Sequence, residues 1–470
     1  MSLRISTALL VLLSASLTQA AQNPGVNVEQ SAKNLSQAIK FETVSTMQGP
    51  LDPETFTAFH QYLEQTYPLV HQAMSRSVVA DYSLLYRWPG KDLSRPPAMF
   101  LAHQDVVPVD EATLRDWKHP PFSGVISENS IWGRGTMDFK FGLVALFEAA
   151  EHLLQQGFVP EQSLYFGFSH DEEVLGKGAP AMVKALQDQG IKLDWLLDEG
   201  LVITHQMFPG LDKPLALIGL AEKGFLSVEI EAAHPGGHSS MPPAQTAAGI
   251  IARAVVALED NPMAQRLTGP VEMMIHRVGE YMPWYKKAVF QNLAITGSLV
   301  LRKLGQKSNT NALTRTTTAV TMLKGSPQDN VLPNRAKAVI NFRILPGDTV
   351  ESVLAHVKET IADERVSVKP YSESRGENPS PTSCADCKAF TRIEHSIKKI
   401  YPDAMVAPSI LVGATDSRHF STLSDKIYRF SPQEVWPEDM SGFHGINEKT
   451  GVEAFGRAVA FYMAMMSPGQ

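Results

Sequence analysis

The chain has 470 residues, 44% hydrophobic and 19% charged, with a formal net charge of −7. That length exceeds what one ordinary core supports, so two or more domains are expected. The negative balance, with no long basic run, excludes nucleic acid as the main partner, and the composition is that of a soluble globular enzyme.

In chain order, residues 1–20 come first and differ from the rest. Arg4 precedes the apolar stretch Leu9-Leu-Val-Leu-Leu13, and Thr18-Gln-Ala20 offers small residues before a cut. This is the anatomy of a secretory signal peptide, and the apolar stretch is short for a membrane span. The expectation is an exported protein, periplasmic or secreted, that begins near Ala21 and has no later transmembrane segment.

From about residue 26 to 218, apolar runs alternate with helical patterns, including helices over 55–67, 141–156 and 179–189. The pattern predicts an α/β layer with a mostly parallel central sheet. Three of its apolar runs end abruptly in polar groups. Ala98-Met-Phe-Leu-Ala102 stops at His103-Gln-Asp105, Leu164-Tyr-Phe-Gly-Phe168 at Ser169-His-Asp-Glu-Glu173, and Trp195-Leu-Leu197 at Asp198-Glu199. Short apolar runs of this kind read as buried parallel strands, and functional groups collect where such strands end. Imidazole and several carboxylates converging on one sheet edge would repel each other or lose solvation unless cations lie between them. A divalent metal site resolves that conflict.

Near residue 219 the character changes. Segments 225–231, 319–323 and 336–343 alternate like antiparallel strands, and 242–258 and 350–362 read as amphipathic helices. Residues 219–375 are therefore expected to form an inserted α+β domain. Within it, between Asn261 and Gly305, lies an apolar stretch with Met273, Met274, Ile275, Tyr281, Met282, Trp284, Phe290 and Leu293. It reads either as packing inside the insert or as an acyl-chain pocket. The α/β pattern returns with a helix over 389–400, a strand near 409–412 and a last helix over 451–466. The catalytic domain is thus expected in two parts, 21–218 and 376–470. The two cysteines, Cys384 and Cys387, read as a structural staple or idle thiols rather than a redox pair or half a zinc site.

The metal-ligand candidates are His103, Asp105, Asp138, Glu172, Glu173, Asp198 and His444. Residues two apart at a strand end point to the same side, so Asp105 is placed to accept the second ring N–H of His103 and fix its tautomer. Asp138 lies in the glycine-rich turn Gly133-Arg-Gly-Thr-Met-Asp138, where its carboxylate can bridge two metals. Adjacent Glu172 and Glu173 allow one to bind metal while the other faces a water. His444 sits in Ser441-Gly-Phe-His-Gly445, a loop before the last helix.

Four strings occur in order: Leu101-Ala-His-Gln-Asp-Val-Val-Pro-Val109, Gly133-Arg-Gly-Thr-Met-Asp-Phe-Lys140, His170-Asp-Glu-Glu173 and Leu197-Asp-Glu-Gly200. Together they resemble successive motifs of the cocatalytic zinc carboxypeptidase and aminoacylase family, and most resemble its carboxypeptidase S and N-fatty-acyl-amino-acid hydrolase branch. The resemblance implies a zinc-peptidase catalytic domain interrupted by a lid and dimerisation domain, the expected place of a homodimer contact. It implies two zinc ions per chain. His103 and Asp198 would hold one, Glu173 and His444 the other, with Asp138 between them and Glu172 as general base. Neighbouring Glu199 is the alternative to Asp198. A cis peptide bond is implied after Asp138.

The resemblance also assigns His238, in Gly236-Gly-His-Ser-Ser240, to the oxyanion. It assigns Asn330, Arg343 and Arg418 to the substrate, an arginine meeting its carboxylate. Read from the residues alone, His238 is as well a helix cap and Arg343 a sheet-edge charge. The implied reaction is hydrolysis of an amide bond next to a free carboxylate, in a small peptide or an N-acyl amino acid. The rival readings are a zinc aminopeptidase with a similar metal set and a non-catalytic binding protein on the same fold.

Overall fold

The structure is a computed structural model that describes residues 25–208, 210–371 and 376–468. The expected signal peptide lies outside the described residues. Among those described, no helix is long and apolar enough to cross a membrane. The strands used below are β1 (Ser75–Val79), β2 (Ser83–Trp88), β3 (Ala98–His103), β4 (Leu164–Ser169), β5 (Trp195–Thr204), β6 (Leu215–Glu222), β7 (Gly224–Ala233), β8 (Thr317–Lys324), β9 (Arg335–Ile344), β10 (Val366–Pro370), β11 (Met405–Leu411) and β12 (Ile427–Val435). The helices are α1 (Val28–Ile39), α2 (Pro53–Thr66), α3 (Lys140–Gln155), α4 (Gly178–Asp188), α5 (Ala247–Asp260), α6 (Gly269–Gly279), α7 (Trp284–Gln291), α8 (Leu293–Leu304), α9 (Val350–Ile361), α10 (Lys388–Ile400) and α11 (Val452–Met466).

The described residues divide into two compact units, one within 25–219, 383–407 and 415–468, the other within 220–382 and 408–414. An eight-stranded sheet runs in the order β11-β6-β12-β5-β3-β4-β2-β1. Its centre, β12-β5-β3-β4, is parallel throughout. Beyond β4, β2 and β1 pair antiparallel, and β6 meets β12 antiparallel. The sheet is therefore mixed, with its parallel part where the apolar runs predict it. Every residue of β3 and β4 is buried, as strands covered on both faces require. The covering helices show the same logic. Twelve residues of α3 and twelve of α11 are buried, including nearly every apolar side chain, so these helices pack into the interior rather than against water. Helix α10 is a surface helix that buries one stripe, with Phe390, Ile393, Ile397 and Ile400 at three- and four-residue spacing.

The second unit has an antiparallel sheet in the order β8-β9-β7-β10. Leu226, Val228, Ile230 and Ala232 alternate inward along β7, and Ala336, Ala338, Ile340 and Phe342 do so along β9. They pack on Ile250, Ile251, Ala254 and Leu258 of α5 and on Val353 and Val357 of α9. Thr246 caps α5 by accepting from Gly249 N, so this helix starts at 247 rather than at 242. Thr349 and Ser352 form a capping box on α9. The unit ends later than 375 because the chain stays on β6 and β7. Phe225 and Glu377 exchange backbone hydrogen bonds, and Ser380 N donates to Glu222 O. The apolar stretch of 261–305 resolves into α6, α7 and α8, of which Met274, Ile275 and Leu293 are buried while Tyr281 and Trp284 are exposed. Cys384 and Cys387 are joined in a disulfide.

Candidate metal centre

Strands β3 and β4 run parallel with His103 opposite Ser169, so both finish at the same level. The chain leaving β3 carries Asp105, and the chain leaving β4 carries Glu172 and Glu173 on a short 3-10 turn. Asp171 holds that turn by accepting from Lys177 N at 2.6 Å and Gly178 N at 3.0 Å. A Cβ at position 178 would lie 2.6 Å from Asp171 Oδ1, so glycine is needed where α4 begins. Beside β3, strand β5 brings Asp198 and Glu199 to the same edge.

His103 is buried, and its Nε2 lies 3.0 Å from Asp138 Oδ1 and 3.3 Å from Glu199 Oε1. Asp138 reaches the other way as well: its Oδ2 is 3.0 Å from His444 Nε2, which is 3.1 Å from Glu173 Oε2. One carboxylate thus lies between two imidazoles, each with a further carboxylate at its side. Two sets of donor atoms fall within 4.8 Å of one another: His103 with Glu172 and Glu199, and His103 with Asp138 and Glu173. The Asp138–Phe139 peptide bond is cis.

Two expected residues are placed differently. The ring Nδ1 of His103 faces the backbone oxygen of Asp105 at 2.9 Å, with the carboxylate at 3.4 Å. The Asp105 carboxylate instead accepts from Glu172 N and Glu173 N, each at 3.2 Å. Asp105 therefore faces His103 with its main-chain oxygen and, further off, its carboxylate, and the same carboxylate holds the glutamate pair. Asp198 is outside both donor sets. Its Oδ1 accepts from Glu199 N and its Oδ2 from Ser417 N, both at 2.9 Å. Adjacent residues on a strand face opposite sides, so only one of Asp198 and Glu199 can face the imidazole, and it is Glu199.

Glu448 was not singled out from the sequence. It is fully buried; its Oε1 accepts from Gly135 N (2.9 Å), Met137 N (2.6 Å) and Asp138 N (3.2 Å), and its Oε2 from Arg134 Nη1 (2.6 Å). Arg134 Nη2 in turn donates to His444 O at 3.2 Å and Gly445 O at 3.0 Å. This one ion pair ties the Asp138 turn to the His444 loop. Its only trace in the sequence is a glutamate four residues after His444, and nothing local links it to Arg134, over 300 residues earlier.

Burial, then the charge of Glu199, pushes Glu172 well above the usual carboxylate range. Burial also pushes Glu199 up to about 8 and raises Glu173. Asp416, buried beside Asp198, is pushed up to about 7. Burial works against ionised Asp138 too, but bonds from His103 and His444 outweigh it and hold Asp138 below its usual range. His444 is raised to about 10 by Asp138 and Glu173. Burial opposes charge on His103, yet Glu199, Asp105 and Asp138 raise it well above the usual imidazole range. Glu173 Oε1 is buried without a hydrogen-bond partner. An orphaned carboxylate oxygen among imidazole and carboxylate donors fits zinc, which takes nitrogen and oxygen ligands.

The expected substrate residues divide between the units. Arg418 is in the first, on the 3-10 helix Asp416–Thr422 that also carries Ser417, and its Nη1 donates to Thr415 O at 3.3 Å. In the second unit, His238 pairs with Val331 in a two-stranded ribbon, and Ser239 N donates to Asn330 O at 3.1 Å, so the His238 and Asn330 segments are neighbours. His238 is exposed and its Nδ1 lies 2.8 Å from Ser240 Oγ. Arg343 lies on β9 opposite Phe225, with its guanidinium 5.0 Å from that ring's centre.

Residues 99–467 match the profile of Peptidase family M20/M25/M40. A Dictyostelium discoideum protein named probable carboxypeptidase S-like 2 is 38% identical over 438 residues, 92% of this chain and 83% of that protein. Human N-fatty-acyl-amino acid synthase/hydrolase PM20D1 is 36% identical, with 92% and 86% covered. Carboxypeptidase S of Saccharomyces cerevisiae is 29% identical, with 92% and 82% covered. Among solved structures, an M20 family metallo-carboxypeptidase from Sulfolobus solfataricus superposes with a TM-score of 0.67 at 18% identity, covering 93% of this chain and 98% of that one, a likeness of fold.

Proposed function

The chain belongs to peptidase family M20/M25/M40, and from that premise we propose that it is a two-zinc hydrolase of amide bonds next to a free carboxylate. Its substrates are small peptides or N-acyl amino acids, the classes that the names of its relatives indicate. The observation that carries this reading is Asp138 held between His103 and His444, each with a further carboxylate beside it. His103, Asp138, Glu173, Glu199 and His444 are the proposed ligands, with Glu199 in the place first expected of Asp198. When bound, the metal pair supplies Lewis acidity, which makes water nucleophilic near neutral pH and polarises the scissile carbonyl.

The remaining chemistry belongs to side chains. Glu172 lies next to ligand Glu173, and burial raises its affinity for a proton. It takes the proton of the attacking water and returns it to the leaving amine. Asp105 keeps the Glu172–Glu173 turn in place through two backbone hydrogen bonds. His238 is proposed to meet the charge that grows on the scissile oxygen, and Asn330, Arg343 and Arg418 to bind substrate, an arginine fork taking the carboxylate.

The test is a hydrolysis panel on zinc-loaded protein: dipeptides, N-acetyl amino acids and N-acyl amino acids of rising chain length, with matched amides lacking the free carboxylate. Cleavage of amino-blocked substrates only when the carboxylate is free supports the proposal. Turnover restricted to substrates with a free amine would assign the chain to aminopeptidases, and no turnover with both metals bound would leave only a binding role.

A further inference from the structure

Helices α7 and α8, joined by Asn292 alone, carry an unusual surface. No residue of α7 is buried. Trp284 is 82% exposed, Tyr285 54% and the neighbouring Tyr281 49%. Among the described residues the exposed aromatic side chains are these three and Tyr371. The exposed face of α8 reads Ala294, Ile295, Ser298, Leu299, Arg302 and Lys303, spaced as one helical stripe, with Ile295 86% exposed. Its apolar part comes first and its cations stand at the helix end. Large apolar side chains left in water on two consecutive helices, with the Trp284 and Tyr285 rings 6.0 Å apart, mark an interaction surface rather than scattered exposure.

The charge of this segment says what covers it. Residues 281–307 contain Lys286, Lys287, Arg302, Lys303 and Lys307 and no carboxylate, within a chain of net charge −7. A symmetric contact between two copies would place these cations against each other. Tryptophan and tyrosine beside lysine, on short amphipathic helices, match the interface of an anionic bilayer, where rings sit at headgroup depth and long basic side chains reach the phosphates. We propose that helices α7 and α8 dock the protein on anionic lipid surfaces through Trp284, Tyr285, Ile295 and Leu299, with Lys286, Lys287, Arg302 and Lys303 drawing it there. Docking stands on this surface alone. Its use, presenting long-chain N-acyl amino acids dissolved in the lipid, rests on the amidohydrolase reading above.

The experiment is vesicle flotation of the full mature chain with phosphatidylcholine vesicles, with and without phosphatidylglycerol. Binding is expected to the anionic vesicles, with little to the neutral ones and loss at high salt. Lys286→Glu/Lys287→Glu should weaken it by about tenfold or more. Trp284→Ala/Ile295→Ser should weaken it about as much, with unchanged thermal unfolding. Hydrolysis of a soluble N-acetyl amino acid should be unaffected in both variants, which separates failure of docking from failure of the enzymatic reading. Equal binding to neutral vesicles, unaltered flotation of either variant, or no flotation would overturn the proposal. Concentration-dependent self-association of the wild type that Trp284→Ala abolishes would assign the surface to a second copy and equally overturn it.

Discussion

Two groups of glutamates show how much their surroundings decide. Glu172, Glu173 and Glu199 are gathered at the ends of buried parallel strands, and burial raises all three above their usual range. Glu229 and Glu231 stand on the outward face of β7 in the inserted unit. Lys337 lies 3.2 Å from Glu229 and 2.7 Å from Glu231, Lys369 lies 3.1 Å from Glu229, and Arg335 pairs with Glu231. Hydrogen bonds from these cations hold Glu231 below its usual range, and for Glu229 they outweigh burial in the same direction. On the sheet face the neutralising charge comes from the chain itself. Around the strand ends two imidazoles, His103 and His444, lie against the carboxylates of Asp138, Glu173 and Glu199, an excess of acid that fits a cation. The first arrangement needs nothing from outside the chain; the second leaves donor atoms within 4.8 Å of one another.

The contrast breaks most sharply at the general base. Glu172→Gln should lower kcat by ~10²–10⁴ while both metals stay bound, whereas Glu173→Gln should lower the metal content itself. Elemental analysis beside steady-state kinetics reads both; loss of metal from Glu172→Gln would refute its separation from the ligands. Next is Glu448→Ala, which leaves Arg134 buried without its partner and is expected to cost about 3–5 kcal/mol in denaturant unfolding. Because the same pair joins the Asp138 and His444 loops, zinc affinity should fall as well, and unchanged affinity would limit Glu448 to a structural role.

The choice between adjacent acids is sharpened by Glu199→Gln and Asp198→Asn. The first should reduce zinc stoichiometry. The second should retain it and weaken affinity by about 10–100-fold, through loss of the Ser417 contact. Proton linkage follows from the raised values. Without metal, Glu199 at about 8 and His444 at about 10 hold protons at neutral pH. Metal requires them deprotonated, so zinc binding should release protons and weaken by up to about tenfold per pH unit, for each proton released, as pH falls. Titration calorimetry in buffers of different ionisation heat measures the count, and zero release would contradict the shifts. The smallest effect belongs to the sheet face. Glu229→Gln should cost at most about 1 kcal/mol. Its depressed value makes that contribution present above the unfolded carboxylate range and lost as pH falls through the folded one, which acid titration of the variant's stability tests.

Much of the layout was legible because burial leaves strong patterns. The runs at 98–103 and 164–169 are apolar throughout, since both faces of a central parallel strand are covered. The helix expected over 141–156 forms at Lys140–Gln155, and that over 389–400 at Lys388–Ile400. The alternation of 225–231 reports one wet face and one dry face of an antiparallel sheet. Helix α7 carries no helical period of burial, because none of its residues is buried and its tryptophan and tyrosine face water.

By itself, then, the sequence determined the alternation of elements and the residue types available at each strand end. These are properties of local pattern, set by solvent on one side and core on the other. Only the tertiary structure decided which of Asp198 and Glu199 faces His103, that Asp105 serves the glutamate pair, and that Glu448 joins two loops. Such choices depend on distances of a few ångströms between residues up to about 300 positions apart, and carboxylates of nearly equal chemistry are told apart only by what is packed beside them.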